Sequence, residues 1–266
     1  PGDETKTAVS LRGWTFAQLF DTVMTVDADK IMWLLDGAES CSELAVREAG
    51  MGRISAPASP LEACHALDMD GELVSSAAGL AAKAIFARMS GIPWPVLTSG
   101  GSGNQGIMVS VPVLLMAKRL GADREKTLRA LALSHGVNML VKAYTGEVSS
   151  SCGGVSASAG IAAAVCWLLG GDNTRVSEAI TETLAALFGM VCDGAKESCA
   201  LKAASAVTTG LFVGAGVTRS QCSMKDQGTI GESLEETLSR LGELNKKVFN
   251  HSDTLLLGLL GFQNVG

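Results

Sequence analysis

From Val148 to Gly171 the chain carries no charged side chain, and the stretch is built mainly from serine, glycine, alanine and a few large apolar residues. A run of this length can cross a bilayer. Its first half, VSSSCGGVSASAG, argues against that, because a spanning helix is richer in leucine, isoleucine and phenylalanine and is bracketed by aromatic belts. The better reading is a helix buried inside a soluble bundle, with side chains small enough for its neighbours to come close. A second uncharged run, Met89 to Ala117, is interrupted by Pro93, Pro95 and a glycine cluster.

Composition agrees with much interior and little polar surface. The chain has 266 residues, of which 47% are hydrophobic and 18% charged, with a mean hydropathy of +0.28. That is enough to bury a large core, and it excludes disorder. A net charge of −6 with dispersed basic residues gives no electrostatic footprint for nucleic acid. Seven cysteines form an odd count in a chain with no secretion signal, so the expected setting is cytoplasmic, with thiols kept reduced. So few charges leave self-association into a homo-oligomer open. The chain opens on Pro1, and the expectation is one helical catalytic domain over residues 1–266 that lacks an N-terminal segment of the full polypeptide.

No alternating strand pattern occurs, and helical signals follow one another along the chain. Apolar residues recur at helical spacing from Trp14 to Leu35, opened by a Thr15–Gln18 capping box. A second helix is expected from Glu39 to Ala49, and a third is announced by Ser59, Pro60 and Glu62. Glu72 to Met89 is helical and alanine-rich. After the prolines comes TSGGSGNQG, Thr98 to Gly106, read as a loop, with a helix over Gln105–Leu120 bent or begun at Pro112. Asp123 caps a helix to about Tyr144. The Cys152 helix ends at Gly170 and Gly171, and Asn173 or Thr174 caps one that reaches Met190. Glu197 to Val217 is small and apolar, and Ser233 to Phe249 is amphipathic with a hydrophobic tail. The fold expected is all-α, a single large helical domain with glycine-rich loops and closely packed small-residue helices.

Three places can carry chemistry. Cys192 and Cys199 lie seven residues apart in GMVCDGAKESCALKAAS, and Cys152 lies 40 residues upstream of Cys192. On one continuous helix the first two would be about 10.5 Å apart along the axis, too far for one compact centre. Gly194 offers a break that folds CDGAKESC into a turn. A helix N-terminus and Lys196 would then favour a thiolate at Cys199, with Cys152 at another helix start. Three thiolates can converge on a metal in this way. The plainer alternative is three small core residues, and on spacing alone that reading leads. Cys41, Cys64, Cys166 and Cys222 are read as structural.

The glycine loop places backbone amides and the residues Ser99, Ser102, Gly103, Asn104 and Gln105 ahead of a helix, a site for a small carboxylate. It matches neither the dinucleotide fingerprint nor a phosphate loop. His135 and Lys142 share roughly one helix face, and their nearness in sequence to Cys152 makes them candidates for proton transfer. His65 and His251 are read as structural.

SGGSGNQGIMVSVPV, the stretch from LSHGVNMLVKAYTGEVSSSCGG to ASAGIAAA, and GMVCDGAKESCALKAA together resemble the L-cysteine desulfidase family, also grouped as the uncharacterised family UPF0597. More distantly they are similar to the α chain of iron-sulfur L-serine dehydratases. The resemblance covers nearly the whole chain. It implies a 4Fe-4S cluster on Cys152, Cys192 and Cys199, with one iron open to act as a Lewis acid. It also implies β-elimination from a small amino-acid substrate, L-cysteine, to an aminoacrylate that hydrolyses to pyruvate and ammonia, with sulfide as the leaving group. With L-serine, water leaves instead. Loop residues from Ser102 to Gln105 would hold the carboxylate, and His135, Lys142 or Lys196 would balance charge or move protons. The family's N-terminal GCTEP-like segment is not found in this sequence. Two other classes stay open: a non-enzymatic helical module that binds a small anion, and a pyridoxal-phosphate lyase using Lys142 or Lys196.

Overall fold

A computed structural model of the chain describes residues 11–50, 71–146, 149–218 and 224–261. Among them are ten α-helices and no strand. In order they are α1 (Phe16–Thr25), α2 (Trp33–Gly50), α3 (Gly71–Met89), α4 (Gly103–Arg119), α5 (Arg124–Thr145), α6 (Gly153–Leu168), α7 (Asn173–Leu187), α8 (Cys199–Val217), α9 (Leu234–Leu244) and α10 (Asn250–Leu259). A 3-10 turn over Ala28–Ile31 precedes α2, and a π-helical turn over Asn245–Phe249 joins α9 to α10.

Helix α6 is the centre of the bundle. Every residue of it except Gly153 and Trp167 is buried, and α4, α5, α7 and α8 pack around it. Glycines let the backbones meet. A Cβ on Gly160 of α6 would lie 2.3 Å from the Ser134 carbonyl oxygen of α5. On α8, a Cβ on Gly210 would lie 2.7 Å from the Ser158 carbonyl of α6, and one on Gly214 would lie 2.6 Å from that of Ala162. No side chain fits at these distances, so the uncharged alanine-and-glycine sequence is what allows the contact. Of the described helices, α8 is the one long and apolar enough to cross a membrane, and half of that stretch is buried inside the fold.

Local capping sets most boundaries. The Thr15–Gln18 capping box and Asp123 before α5 form as read from the sequence, and Ser233, the expected start of the last amphipathic segment, caps α9. Elsewhere the boundaries move. The first helix stops at Thr25, because the side chain of Asp27 accepts from Asp29 N and opens the 3-10 turn. The expected second helix from Glu39 is the later part of α2, whose Gly37 faces the Leu97 side chain. Helix α4 begins at Gly103, two residues earlier than expected, under a Ser102 cap, and runs through Pro112. Asp172, rather than Asn173 or Thr174, caps α7. The expected helix at Ser59, Pro60 and Glu62 lies outside the described residues, as do Cys64, His65 and Cys222.

Between α4 and α5 sits His135, 6% exposed, with Nε2 3.0 Å from Ser110 Oγ. Burial disfavours its charged form and lowers its pKa to about 4. A histidine held neutral in the fold must gain a proton to unfold below pH 6.5, so its contribution is complete above about 6.5 and is lost as pH falls toward 4. The span from 6.5 to about 4 corresponds to roughly 3 kcal/mol.

Two expectations follow from this packing. Gly160→Ala should lower unfolding free energy by about 1–3 kcal/mol in urea titrations, against the gain of up to about 1 kcal/mol that alanine gives in an open helix. Gly216→Ala on α8, where a Cβ meets nothing within 4 Å, is the control expected to be neutral or stabilising. For His135, urea midpoints should fall between pH 6.5 and 4, and His135→Gln should flatten that part of the profile.

Candidate functional site

Cys152 is the N-cap residue of α6 and Cys199 the first residue of α8. Helices α1, α4, α5, α7 and α9 are each closed by a side-chain capping hydrogen bond, whereas α6, α8 and α10 have none. Both cysteines therefore sit at helix starts whose backbone N–H groups have no side-chain cap. Cys192 is tied beside them by backbone. Cys152 N donates to Met190 O at 2.9 Å and Cys192 N to Ser150 O at 2.6 Å, with an antiparallel bridge between Ser151 and Val191. From Asp193 to Ser198 the chain turns through Gly194, whose φ of +96° suits glycine, and Cys199 Sγ comes 3.6 Å from the Gly194 carbonyl.

The three thiols are free and half-buried, and Cys192 and Cys199 both lie within electrostatic reach of Cys152. Burial raises the Cys152 pKa; the Gly154 backbone and Lys202 act against this, while Cys192 and Cys199 add to it. The Cβ position of Gly154 lies 3.6 Å from Cys152 Sγ and 3.4 Å from Met190 Sδ. Asp193 gathers the nearby cations: Lys196 Nζ lies 2.7 Å from its carboxylate, and Lys202 bonds the same group and the Val191 carbonyl. Lys196 first, and Lys202 with it, hold the Asp193 carboxyl down to about 2. Burial works against the charge of Lys202, but its bond to Asp193 and the charges of Asp193, Cys152 and Cys192 raise its pKa overall. Among the described residues, no three His, Cys, Asp or Glu side chains stand close enough to hold a single metal ion.

The glycine loop is shorter than the sequence suggested. Ser99 and Ser102 exchange backbone hydrogen bonds of 3.2 and 3.0 Å across Gly100 and Gly101, whose φ angles are +54° and +77°. Gly103, Asn104 and Gln105 form the first turn of α4. Gly106 is fixed by contact, since a Cβ there would lie 1.8 Å from the Leu97 carbonyl oxygen. The preceding segment is anchored to α2 by Trp94 Nε1 donating to Ser40 O at 3.1 Å and by Ser40 Oγ donating to Pro95 O at 2.8 Å.

Gln105 joins this loop to the cysteine centre. Its Oε1 accepts from Ser156 Oγ at 3.3 Å, and its Nε2 is 2.6 Å from where a Cβ of Gly153 would stand, next to Cys152. Lys142, 5% exposed, shares a cavity of about 10 Å³ with Cys152, Ser151 and Ser156, room for about one water. Asn104 points the other way, accepting from Arg88 Nη1 at 2.9 Å. Of the predicted site residues, the structure gathers the three cysteines, Lys142 and Gln105. Lys196 braces the turn at the rim, and His135 lies against Ser110.

Sequence reading missed Arg88, Asn138 and Lys202. Arg88 Nε is 2.6 Å from the Cβ position of Gly103, so a guanidinium stands at the start of α4. Asn138 was legible as Lys142 less one helical turn, and Lys202 by its three-residue spacing from Cys199. The remaining described cysteines are core groups. Cys41 and Cys166 are buried, and burial raises both pKa values, that of Cys166 to about 11.

The family model for the serine dehydratase alpha chain matches residues 7–258. A UPF0597 protein of Moorella thermoacetica is 37% identical over 237 residues, covering 88% of this chain and 54% of the relative. One from Methanocella arvoryzae is 35% identical over 257 residues, and one from Clostridioides difficile is 33% identical over 256, each covering 94% of this chain and 59% of the relative. The chain thus spans little more than half the length of these relatives. No solved structure matches it. With its all-helical fold and a match that runs through the cysteines and the glycine loop, the chain belongs to the serine dehydratase alpha chain family.

Proposed function

We propose that this chain is the cluster-holding and substrate-binding part of a cytoplasmic lyase that removes the β-substituent of a small L-amino acid, taking L-cysteine to pyruvate, ammonia and sulfide. The observation that carries the reading is the pair of uncapped helix ends at Cys152 and Cys199, with Cys192 pinned beside them. All three donors are sulfur, and among the described residues no three such side chains form a site for a single ion. That donor set fits a 4Fe-4S cluster, in which each thiolate takes a different iron, better than zinc. When bound, such a cluster supplies an iron without a protein ligand, a Lewis acid for the substrate.

The protein groups divide the remaining work. Cys152, Cys192 and Cys199 hold the cluster, while Lys202 and Lys196, drawn in by Asp193, offset negative charge. Ser99, Ser102 and the first-turn residues Gly103, Asn104 and Gln105 take the carboxylate, Asn104 through its backbone N–H because its side chain is held by Arg88, which adds a positive charge at that helix end. Lys142 is the group best placed to move a proton, because it lines the cavity of Cys152 while His135 is turned to Ser110. The family match favours a second reading with L-serine as substrate and water as the leaving group.

Anaerobic iron and acid-labile sulfide analysis tests the cluster, and parallel assays of sulfide and pyruvate from L-cysteine and L-serine test the substrate. A colourless, iron-free anaerobic preparation overturns the reading. Amino-acid binding without product by the iron-loaded protein would favour the small-anion module, and a cofactor trapped on lysine by borohydride would favour the pyridoxal-phosphate lyase. Cys192→Ser should bring iron and product formation to background. Lys142→Gln should keep its iron and lose activity by a factor on the order of 10².

A further inference from the structure

We propose that the side-chain oxygen of Asn138 accepts the α-ammonium group of the amino acid, a role that rests on the glycine loop being the carboxylate site. Asn138 lies in α5 with none of its surface exposed. Its Nδ2 donates to Ser99 Oγ at 2.9 Å, whereas its Oδ1 is enclosed and has no partner. Buried polar atoms are nearly always paired, so an enclosed amide oxygen without a donor is a feature that calls for a donor from outside the fold.

Ser75 Oγ, Ser134 Oγ and Asn245 Oδ1 are in the same condition. Asn138 differs from them in its position under the loop. A Cβ on Gly100 would stand 3.1 Å from Asn138 Nδ2, 2.8 Å from Gln105 Oε1 and 3.0 Å from Lys142 Cγ. One left-handed glycine thus covers the unpaired amide, the carboxamide that reaches Gly153 beside Cys152, and the stem of the lysine that lines the Cys152 cavity.

The two ends of an α-amino acid ask for opposite partners. Its carboxylate takes N–H donors, which the first turn of α4 offers. Its ammonium has three donors and no acceptor, so it needs oxygens. Asn138 Oδ1 is unused, and Gln105 Oε1, which accepts from Ser156, flanks Gly100 together with the Nδ2 of the same Asn138 carboxamide. Gly100 stands over this carboxamide pair as bare backbone in the left-handed region, with no side chain for a ligand to displace. The site therefore selects α-amino acids over the same acids without the amino group.

Calorimetric titration of the whole chain with L-alanine, which has no leaving group, and with propionate, the same acid without the ammonium, reads this selection without turnover. The wild type should prefer L-alanine at least tenfold. Asn138→Leu, similar in volume but with no polar atoms, should bring the two within about twofold while leaving propionate unchanged. Asn138→Asp, which keeps an acceptor, should retain the preference. If the leucine variant does not fold, Asn138→Ala adds no bulk and carries the same expectation. A preference that survives in the leucine or alanine variant overturns the inference and leaves Oδ1 to a buried water. So does an equal loss of both ligands, which marks a structural role only. Propionate bound without preference in the wild type removes Asn138 but spares the loop, and binding of neither ligand removes both.

Discussion

The architecture depends on backbone-to-backbone contact along α6. Gly160 brings it against the Ser134 carbonyl of α5, and Gly210 and Gly214 of α8 meet its Ser158 and Ala162 carbonyls. At such separations dispersion acts between main chains, and any added carbon has to push a helix away. The consequence is positional. With α5 and α8 both locked on α6, the starts of α6 and α8 are held near each other, and Cys152 and Cys199 occupy those starts. Lys142, near the end of α5, is brought to the same place.

Charge then follows geometry. Two helix N-termini without side-chain caps face one small region, together with Lys202 and Lys196, in a chain that is acidic overall. Left alone, these positive groups would repel. Asp193 answers part of that, and its carboxyl is held down to about 2 as a result, Lys196 being the larger cause. Lys202 is the shared element, since it touches Asp193 and feels both Cys152 and Cys192.

What was legible in the sequence was local. The caps Thr15, Asp123 and Ser233 act over three residues, and the breaks at Gly146 and Gly194 need only a positive φ, so each could be read in place. The all-helical fold and the central burial of the Cys152 helix followed from the lack of charge and of period-two alternation. The start of α4 was misplaced although Ser102-x-x-Gln105 is itself a capping pattern, because the glycines of TSGGSGNQG outweighed it. The cysteines could not be joined by spacing, since the contact between Ser150–Cys152 and Met190–Cys192 crosses 40 residues of chain and depends on where α6 and α7 end. Arg88 gave no signal at all, and Asn138 only its spacing of one helical turn from Lys142. An asparagine and an arginine are ordinary on helices, and these two matter only through Ser99 and Gly103, which tertiary packing places beside them.

Gln105 shows how the glycine loop and the cysteine centre form one site. Its side chain fills the space that a Cβ on Gly153 would need, and it accepts from Ser156 on the next turn of α6. Its backbone belongs to the first turn of α4, whose position is set by Gly106 against Leu97 and, through Trp94 and Ser40, by α2. A displacement of the loop therefore cannot leave the start of α6 untouched, because the glutamine that would move is packed one residue from Cys152. The reverse holds as well: whatever fixes Cys152 also fixes the Gly153–Gln105 contact. Glycine at 153 is what makes the coupling direct, since a larger residue would put its own side chain where Gln105 now reaches the cysteine helix.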